Sequence, residues 1–306
     1  MTEKPRLAPT ENLYLDLLKK CLTASLYDAS SWYVFGRNKA EPLTLNPVRL
    51  ARNLAKMLLV KSVWLLGRIV SDRGWLVIKP DSFDAAKRAL GDDWPLFGYT
   101  MIGLRRLDNI QACMEEILAN NVPGDMIETG AWRGGATIFM RAVLKHYNVS
   151  DRTIWVADSF EGLPVADSKS LEVDSNLNSN SSQDINFGGE MGLGLAVSLE
   201  QVQKNFDRFD LLDDQVKFLK GWFKDTLPDA PIDKLSLLRL DGDLYGSTMD
   251  ALNALYSKVS PGGYVLIDDY YTWPSCKQAV LDFRREHGIN CEIIDIDHRG
   301  AYWQVR

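Results

Sequence analysis

The chain has 306 residues, 46% of them hydrophobic and 25% charged, an ordinary globular composition with room for one large core and a smaller addition. Its net charge of −6 argues against a nucleic-acid binder, whose surface is usually basic. Cys21, Cys113, Cys276 and Cys291 show no CxxC or paired spacing, which speaks against a zinc ribbon or disulfide framework and suits a reducing cytosol.

The polar start of the chain does not resemble a secretory signal, and no charge-free run is long enough to span a bilayer, so the expected location is cytoplasmic. Residues 37–79 hold nine basic side chains against Glu41 and Asp72 alone, about +7, while the remainder of the chain is about −13. Inside that stretch, 48–70 is apolar-rich. Arg49, Arg52, Asn53 and Lys56 share one helical face there, opposite Leu50, Leu54, Leu58 and Leu65. Two readings compete: a helix packed on the core or a second subunit, and an interfacial helix on an anionic membrane. Residues 1–95 therefore form a helical N-terminal extension carrying a basic amphipathic insertion at about 31–79.

From about Gly98 the pattern changes to short apolar runs alternating with helix-length segments. Strands are expected at 125–129, 153–157, 215–219, 235–240 and 263–267, and helices at 199–206, 248–259 and 275–287, with another after the glycine-rich turn that follows the first strand. An antiparallel hairpin over 291–296 and 301–305, with His298 in its turn, closes the series. This alternation predicts an α/β fold with a doubly wound, mostly parallel sheet over 96–306. Residues 165–197 break the rhythm, being rich in Ser, Asn, Asp and Gly without periodicity, and are read as a lid or substrate loop or else a surface excursion.

Three features carry chemistry. Glu128-Thr129-Gly130-Ala131-Trp132-Arg133-Gly134-Gly135 follows a strand and opens a helix, the setting in which a glycine turn lets a ligand approach the backbone. Its spacing is not GxGxxG. A dinucleotide site aims amides at a pyrophosphate, whereas S-adenosylmethionine offers a sulfonium and an α-amino group, which suit a carboxylate at the strand tip such as Glu128. Asp158, with Ser159 after it, ends the next strand, where an acid can accept from ribose hydroxyls; on its own this does not separate a methyltransferase from a dehydrogenase. Asp241 and Asp243 follow one apolar strand and Asp268 and Asp269 another. Four carboxylates converging on the binding edge of a sheet repel one another unless a cation intervenes, and oxygen ligands suit Mg²⁺ or a similar ion.

The stretches TMIGLRRLDN, IETGAWRGGA, VADSFEGLP, FLKGWFKDTLP, LRLDGDLYGSTMDAL and LIDDY, taken in order, resemble the macrocin O-methyltransferase family, which methylates sugar hydroxyls of macrolides and related glycosylated natural products. The likeness runs from about Trp94 to Arg306 and includes LYLDLLKKCLTASLYD near the start. It implies a Rossmann-like class I methyltransferase fold, S-adenosylmethionine as donor, a divalent metal on Asp241, Asp268 and Asp269, and Asp243 as general base. It further implies donor contacts at Thr100, Met101, Glu128, Thr129, Gly130, Trp132, Asp158, Ser159, Gly221, Trp222, Phe223 and Asp241, and a homo-oligomer. The acceptor is expected to be a small-molecule glycoside or a glycan. Residues 31–79 look inserted relative to shorter members, and 165–197 resemble the family only loosely. The basic stretch points to a lipid-linked glycan as a variant acceptor, with peripheral membrane contact through 48–70. A catechol-like acceptor, an NAD(P)-dependent oxidoreductase and a non-catalytic scaffold are the rival functions. His298 is the weaker candidate base, and Tyr245 and Trp273 are candidate acceptor-site walls whose simpler role is packing.

Overall fold

The computed structural model describes residues 12–26, 32–34, 78–80, 83–93, 97–174 and 194–306. The basic insertion, apart from two short strands, and most of the 165–197 loop lie outside the described residues. Among the described residues no helix is long and apolar enough to cross a membrane.

The chain begins with α1 (Leu13–Leu22), then β1 (Trp32–Val34) and β2 (Ile78–Pro80), paired antiparallel, and α2 (Ala85–Leu90). α3 (Leu104–Ala119), β3 (Asp125–Thr129), α4 (Gly135–His146), β4 (Ile154–Asp158) and α5 (Ser168–Val173) follow. Next come α6 (Leu199–Asp207), β5 (Val216–Lys220), α7 (Phe223–Thr226), β6 (Leu235–Leu240), α8 (Tyr245–Leu255) and β7 (Val259–Ile267). α9 (Pro274–Glu286), β8 (Ile294–Asp295) and β9 (Ala301–Gln304) complete it.

The main sheet has seven strands in the order β5-β4-β3-β6-β7-β9-β8. β5, β4, β3, β6 and β7 run parallel, and β9 and β8 close the edge antiparallel. Parallel strands covered on both faces read as continuous apolar runs. In β6, LSLLRL, every residue is buried. Side chains alternate between two cores: Met126, Ile154 and Val156 point into one with α1, α3, α4 and α6, and Ile127, Trp155 and Ala157 into the other with α8 and α9. Leu15, Leu18 and Leu22 of α1 are buried in the first core beside Leu107 and Phe139, so the N-terminal helix packs on the main sheet assembly. The order reverses between β3 and β6. At such a switch point the two flanking loops diverge and leave a crevice beyond the strand C-termini.

The larger departures from the sequence expectation are these, with β8 confined to Ile294–Asp295 where 291–296 was expected. The helix foreseen at 248–259 starts at Tyr245 and ends at Leu255. β7 begins at Val259 and not at Gly263, taking in Ser260-Pro261-Gly262 across a register shift against β6. Within 165–197 the short α5 forms because the Asp167 carboxylate caps it, accepting from Ser170 N at 2.9 Å and Ser170 Oγ at 2.7 Å.

Candidate active site

The crevice at the switch point is a cleft of about 490 Å³. Met101, Gly130, Trp132, Asp158, Ser159, Gly221, Trp222, Phe223, Asp241 and Asp243 line it, all singled out from the sequence. Val165, Asp167 and Leu195, from the stretch read as a lid or substrate loop, also line it, as do Leu163, Pro164, Lys224, Ser247 and Asp250, which were not foreseen. The last five come from turns or from partly exposed helix positions, where the sequence carries no signal.

The β3 tip turns sharply at Gly130, which has φ +100° and N–H bonded to Ala157 O at 2.8 Å. A Cβ there would lie 1.8 Å from Asp241 O, so only glycine lets the β3 and β6 tips close together. Asp158 fastens this turn to β4. Its Oδ2 accepts from Ala131 N at 2.7 Å and Trp132 N at 3.3 Å, and its Oδ1 from Phe160 N at 2.7 Å. Burial raises its pKa, and these N–H donors oppose the rise. Trp132 reaches across the cleft, donating Nε1–H to Gly194 O at 2.8 Å, with the Arg133 guanidinium 4.2 Å from its ring centroid.

Beneath the cleft lies a buried ionic network that sequence reasoning missed. Arg239, 2% exposed next to the C-terminal end of β6, donates from Nη1 to Glu128 Oε1 and to Asp241 Oδ2 (2.8 Å), and from Nη2 to Asp268 Oδ1 (2.5 Å). Arg106 of α3 donates to Asp268 Oδ2 (2.5 Å) and Asp297 Oδ2 (3.0 Å). Asp297 also accepts from Arg299 N and Gly300 N. The available signal was a lone Arg inside an apolar strand, two places before Asp241. A buried guanidinium needs carboxylate partners, and here it finds them.

The acidic cluster divides in a way the sequence did not foresee. Both oxygens of Asp268 face guanidinium groups, whereas oxygens of Asp241, Asp243 and Asp269 lie within 4.8 Å of one another. Burial would raise the Asp268 pKa, but Arg106 and Arg239 hold it below the usual carboxylate range. Burial and the like charge of Asp241 push Asp243 up to about 7. Burial, with Asp243 and Asp241 beside it, pushes Asp269 well above its ordinary value. Asp269 Oδ2 is buried and has no hydrogen-bond partner among the described residues. Three carboxylates at this spacing with one orphaned oxygen fit a hard divalent cation, which would replace both the missing donor and the missing counter-charge.

Glu128 and Thr129 lie under the cleft floor, and burial pushes Glu128 up to about 8 against the pull of Arg239. Thr100 is buried behind the glycine turn, its Oγ1 accepting from Ile102 N at 3.3 Å. Of the other residues weighed, His298 is exposed and paired with Asp295 at 2.7 Å, off the cleft. Tyr245 donates its hydroxyl to Asp282 Oδ2 at 3.2 Å, and Trp273 packs against the second core with its side chain hydrogen-bonded to Asp243.

Main-chain strain gathers here as well. Trp132 (φ 47°), Phe160 (φ 58°) and Asp243 (φ 57°) all adopt left-handed conformations, each just beyond the tip of β3, β4 or β6.

The profile of the family described as Macrocin-O-methyltransferase (TylF) matches residues 11–305. The mycinamicin III 3''-O-methyltransferase of Micromonospora griseorubida is 48% identical over 228 residues, 74% of this chain and 87% of that one. The demethyldecarbamoylnovobiocin O-methyltransferase of Streptomyces niveus is 52% identical over 214 residues, 70% of this chain and 78% of that one. Among solved structures, the O-methyltransferase NovP superposes with a TM-score of 0.70 at 42% identity, covering 96% of this chain and 98% of that one.

Proposed function

The chain belongs to the macrocin-O-methyltransferase family, with S-adenosylmethionine as methyl donor, and on that premise we propose that it methylates a sugar hydroxyl of a glycosylated natural product in a cation-assisted site at the β6 and β7 tips. One observation carries the site assignment: Asp241, Asp243 and Asp269 converge within 4.8 Å at the switch-point cleft, with Asp269 Oδ2 unpartnered.

In this reading Glu128 receives the donor's α-amino group, Asp158 and Ser159 its ribose, and Gly221, Trp222 and Phe223 its adenine, while Met101, Thr100 and the Gly130 turn enclose the methionine end. Asp241, Asp268 and Asp269 would hold the cation, Mg²⁺ or a relative, which when bound would supply acidification of the acceptor hydroxyl. Asp243, lining the cleft and close to both Asp241 and Asp269, accepts the hydroxyl proton as the oxygen–methyl bond forms and the methyl–sulfur bond breaks, leaving a neutral thioether. The narrow cleft aligns hydroxyl and methyl carbon, and this positioning supports the remaining rate.

The tight grouping of Asp243 with Asp241 and Asp269 favours a second reading, in which Asp243 replaces Asp268 as third ligand. Mn²⁺ titration separates them: Asp268→Asn weakens binding in the first reading, Asp243→Asn in the second. A methyl-transfer assay with S-adenosylmethionine over a glycoside panel, with and without EDTA, tests the whole proposal. Full turnover after chelation removes the cation from it, and turnover only on catechols or lipid-linked glycans redefines the acceptor. The membrane reading of 48–70 rests on sequence alone, and liposome co-sedimentation unchanged by its deletion counts against it.

A further inference from the structure

β3, β6 and β7 are adjacent strands, so their tips stand at the sheet spacing of about 4.8 Å and present Glu128, Asp241 and Asp268 side by side. One side chain, Arg239, touches all three. We infer that Arg239 is the positioning residue that couples the donor half of the site to the cation half, fixing Glu128 and Asp241 from the same Nη1 and Asp268 from Nη2. This rests on the reading of Glu128 as a donor contact and of Asp241 as a cation ligand.

A purely structural role explains the arrangement less well. Packing alone does not call for a charge at 239, because Leu235, Leu237, Leu238 and Leu240 of β6 already fill the two cores; the guanidinium is directed at the carboxylates. Charge neutralisation alone would be served by lysine. Lysine places its donors on one tetrahedral nitrogen, whereas the planar guanidinium reaches carboxylates on opposite sides at once. Arg106 anchors the far oxygen of Asp268, so the plane of that carboxylate is set from behind by α3 and from the front by β6. Asp241 Oδ2 takes its N–H from the nitrogen that also serves Glu128. A cation drawing Asp241 towards itself leaves that nitrogen to Glu128, which stiffens the donor contact; binding in one half then prepares the other.

The test uses the full chain, S-adenosylhomocysteine as donor probe and Mn²⁺ as cation probe. For the wild type, S-adenosylhomocysteine should bind at least threefold more tightly at saturating Mn²⁺ than in EDTA. Arg239→Lys should weaken S-adenosylhomocysteine in EDTA and Mn²⁺ without S-adenosylhomocysteine by at least tenfold each, and abolish the linkage between them. It should also raise KM for the donor and lower kcat together. Glu128→Gln and Asp241→Asn serve as controls, the first weakening mainly S-adenosylhomocysteine and the second mainly Mn²⁺. If both controls behave so but Arg239→Lys affects only one ligand, or keeps the linkage, the inference is overturned while the reading beneath it stands. If the controls change neither ligand, that reading itself is overturned and the inference falls with it. Should Arg239→Lys fail to fold, as judged by melting, the wild type decides: no linkage between Mn²⁺ and S-adenosylhomocysteine overturns the coupling, and linkage that Asp241→Asn removes supports it.

Discussion

Stripping divalent cations from the protein should make its stability fall as pH rises from about 4 to about 7. In the folded chain the Asp243 carboxyl is held up to about 7 by burial and by Asp241, against an ordinary value of 3.8. Between those two pH values the folded state keeps a proton that the unfolded chain has released. The extra stability is therefore fully present below about pH 4, is lost progressively through the window, and is gone above about 7. At about 1.4 kcal/mol per pH interval the full difference is about 4 kcal/mol; partial exposure of Asp243 to the cleft halves this to about 2 kcal/mol. Asp269, Asp241 and Glu128, the last held up to about 8, shift in the same direction and add to the slope. Asp268, held low by its arginines, weakens the fold only at more acidic pH and leaves this window clear. For a chain of this size about 2 kcal/mol corresponds to a melting shift of about 4 °C. Mg²⁺ at a hundred times its Kd should restore about 2.7 kcal/mol at pH 8, and less at pH 5.5, where it must displace the proton first. The assay is melting in EDTA and in Mg²⁺ at both pH values, for the wild type and for Asp243→Asn, which should make the slope shallower. Equal melting temperatures at pH 5.5 and 8 in EDTA, with equal stabilisation by Mg²⁺ at both, would refute the assignment of a shared proton-or-cation site.

Gly130→Ala should abolish S-adenosylhomocysteine binding by calorimetry, because its methyl would lie 1.8 Å from Asp241 O and must force the β3 and β6 tips apart. Arg106→Met leaves Asp268 and Asp297 each short of a buried partner and should cost about 3–5 kcal/mol in denaturant unfolding; adding Asp297→Asn should return part of that loss. Asp158→Ala unfastens the glycine turn and should raise KM for the donor at least tenfold while leaving Mn²⁺ affinity within twofold.

The sheet was legible because buried parallel strands are written as apolar runs. DMIET and LSLLRL match β3 and β6 to the residue, and the runs for β4 and β5 are displaced by one. β7 was half hidden, since Pro261 and Gly262 are turn residues by local chemistry and only the register shift against β6 admits them to a strand. α5 is six residues long, too short for a helical period to show, and only Asp167 at its cap betrays it. The cleft-lining acids were legible because carboxylates at strand ends have few structural reasons to gather. Arg239 was not, because its partners Glu128 and Asp268 lie 111 and 29 residues away and no local pattern joins them. A sequence shows which charges are unusual. Only the strand order shows that β3, β6 and β7 are neighbours and that one guanidinium can serve all three tips.

The left-handed residues at three strand tips indicate what this edge of the sheet costs. Trp132, Phe160 and Asp243 face no solvent-driven turn requirement, yet each holds a backbone conformation that L-residues avoid. Such conformations cost about 1–3 kcal/mol each and persist where surrounding contacts over-determine them. At Asp243 the reason is geometric: the chain must leave β6, place Asp241 and Asp243 on the cleft, and enter α8 at Tyr245 within four residues. This strain inverts the usual ranking of small residues at this position. Asp243→Gly should be more stable than Asp243→Ala by about 1–2 kcal/mol, the left-handed penalty of a Cβ, although glycine loses more chain entropy on folding. Both variants lack the carboxylate, so the comparison isolates the backbone from the proton and cation chemistry. Denaturant unfolding of the two in EDTA at pH 8 makes the measurement, and an alanine variant as stable as the glycine one would show that Asp243 sits at φ 57° without strain.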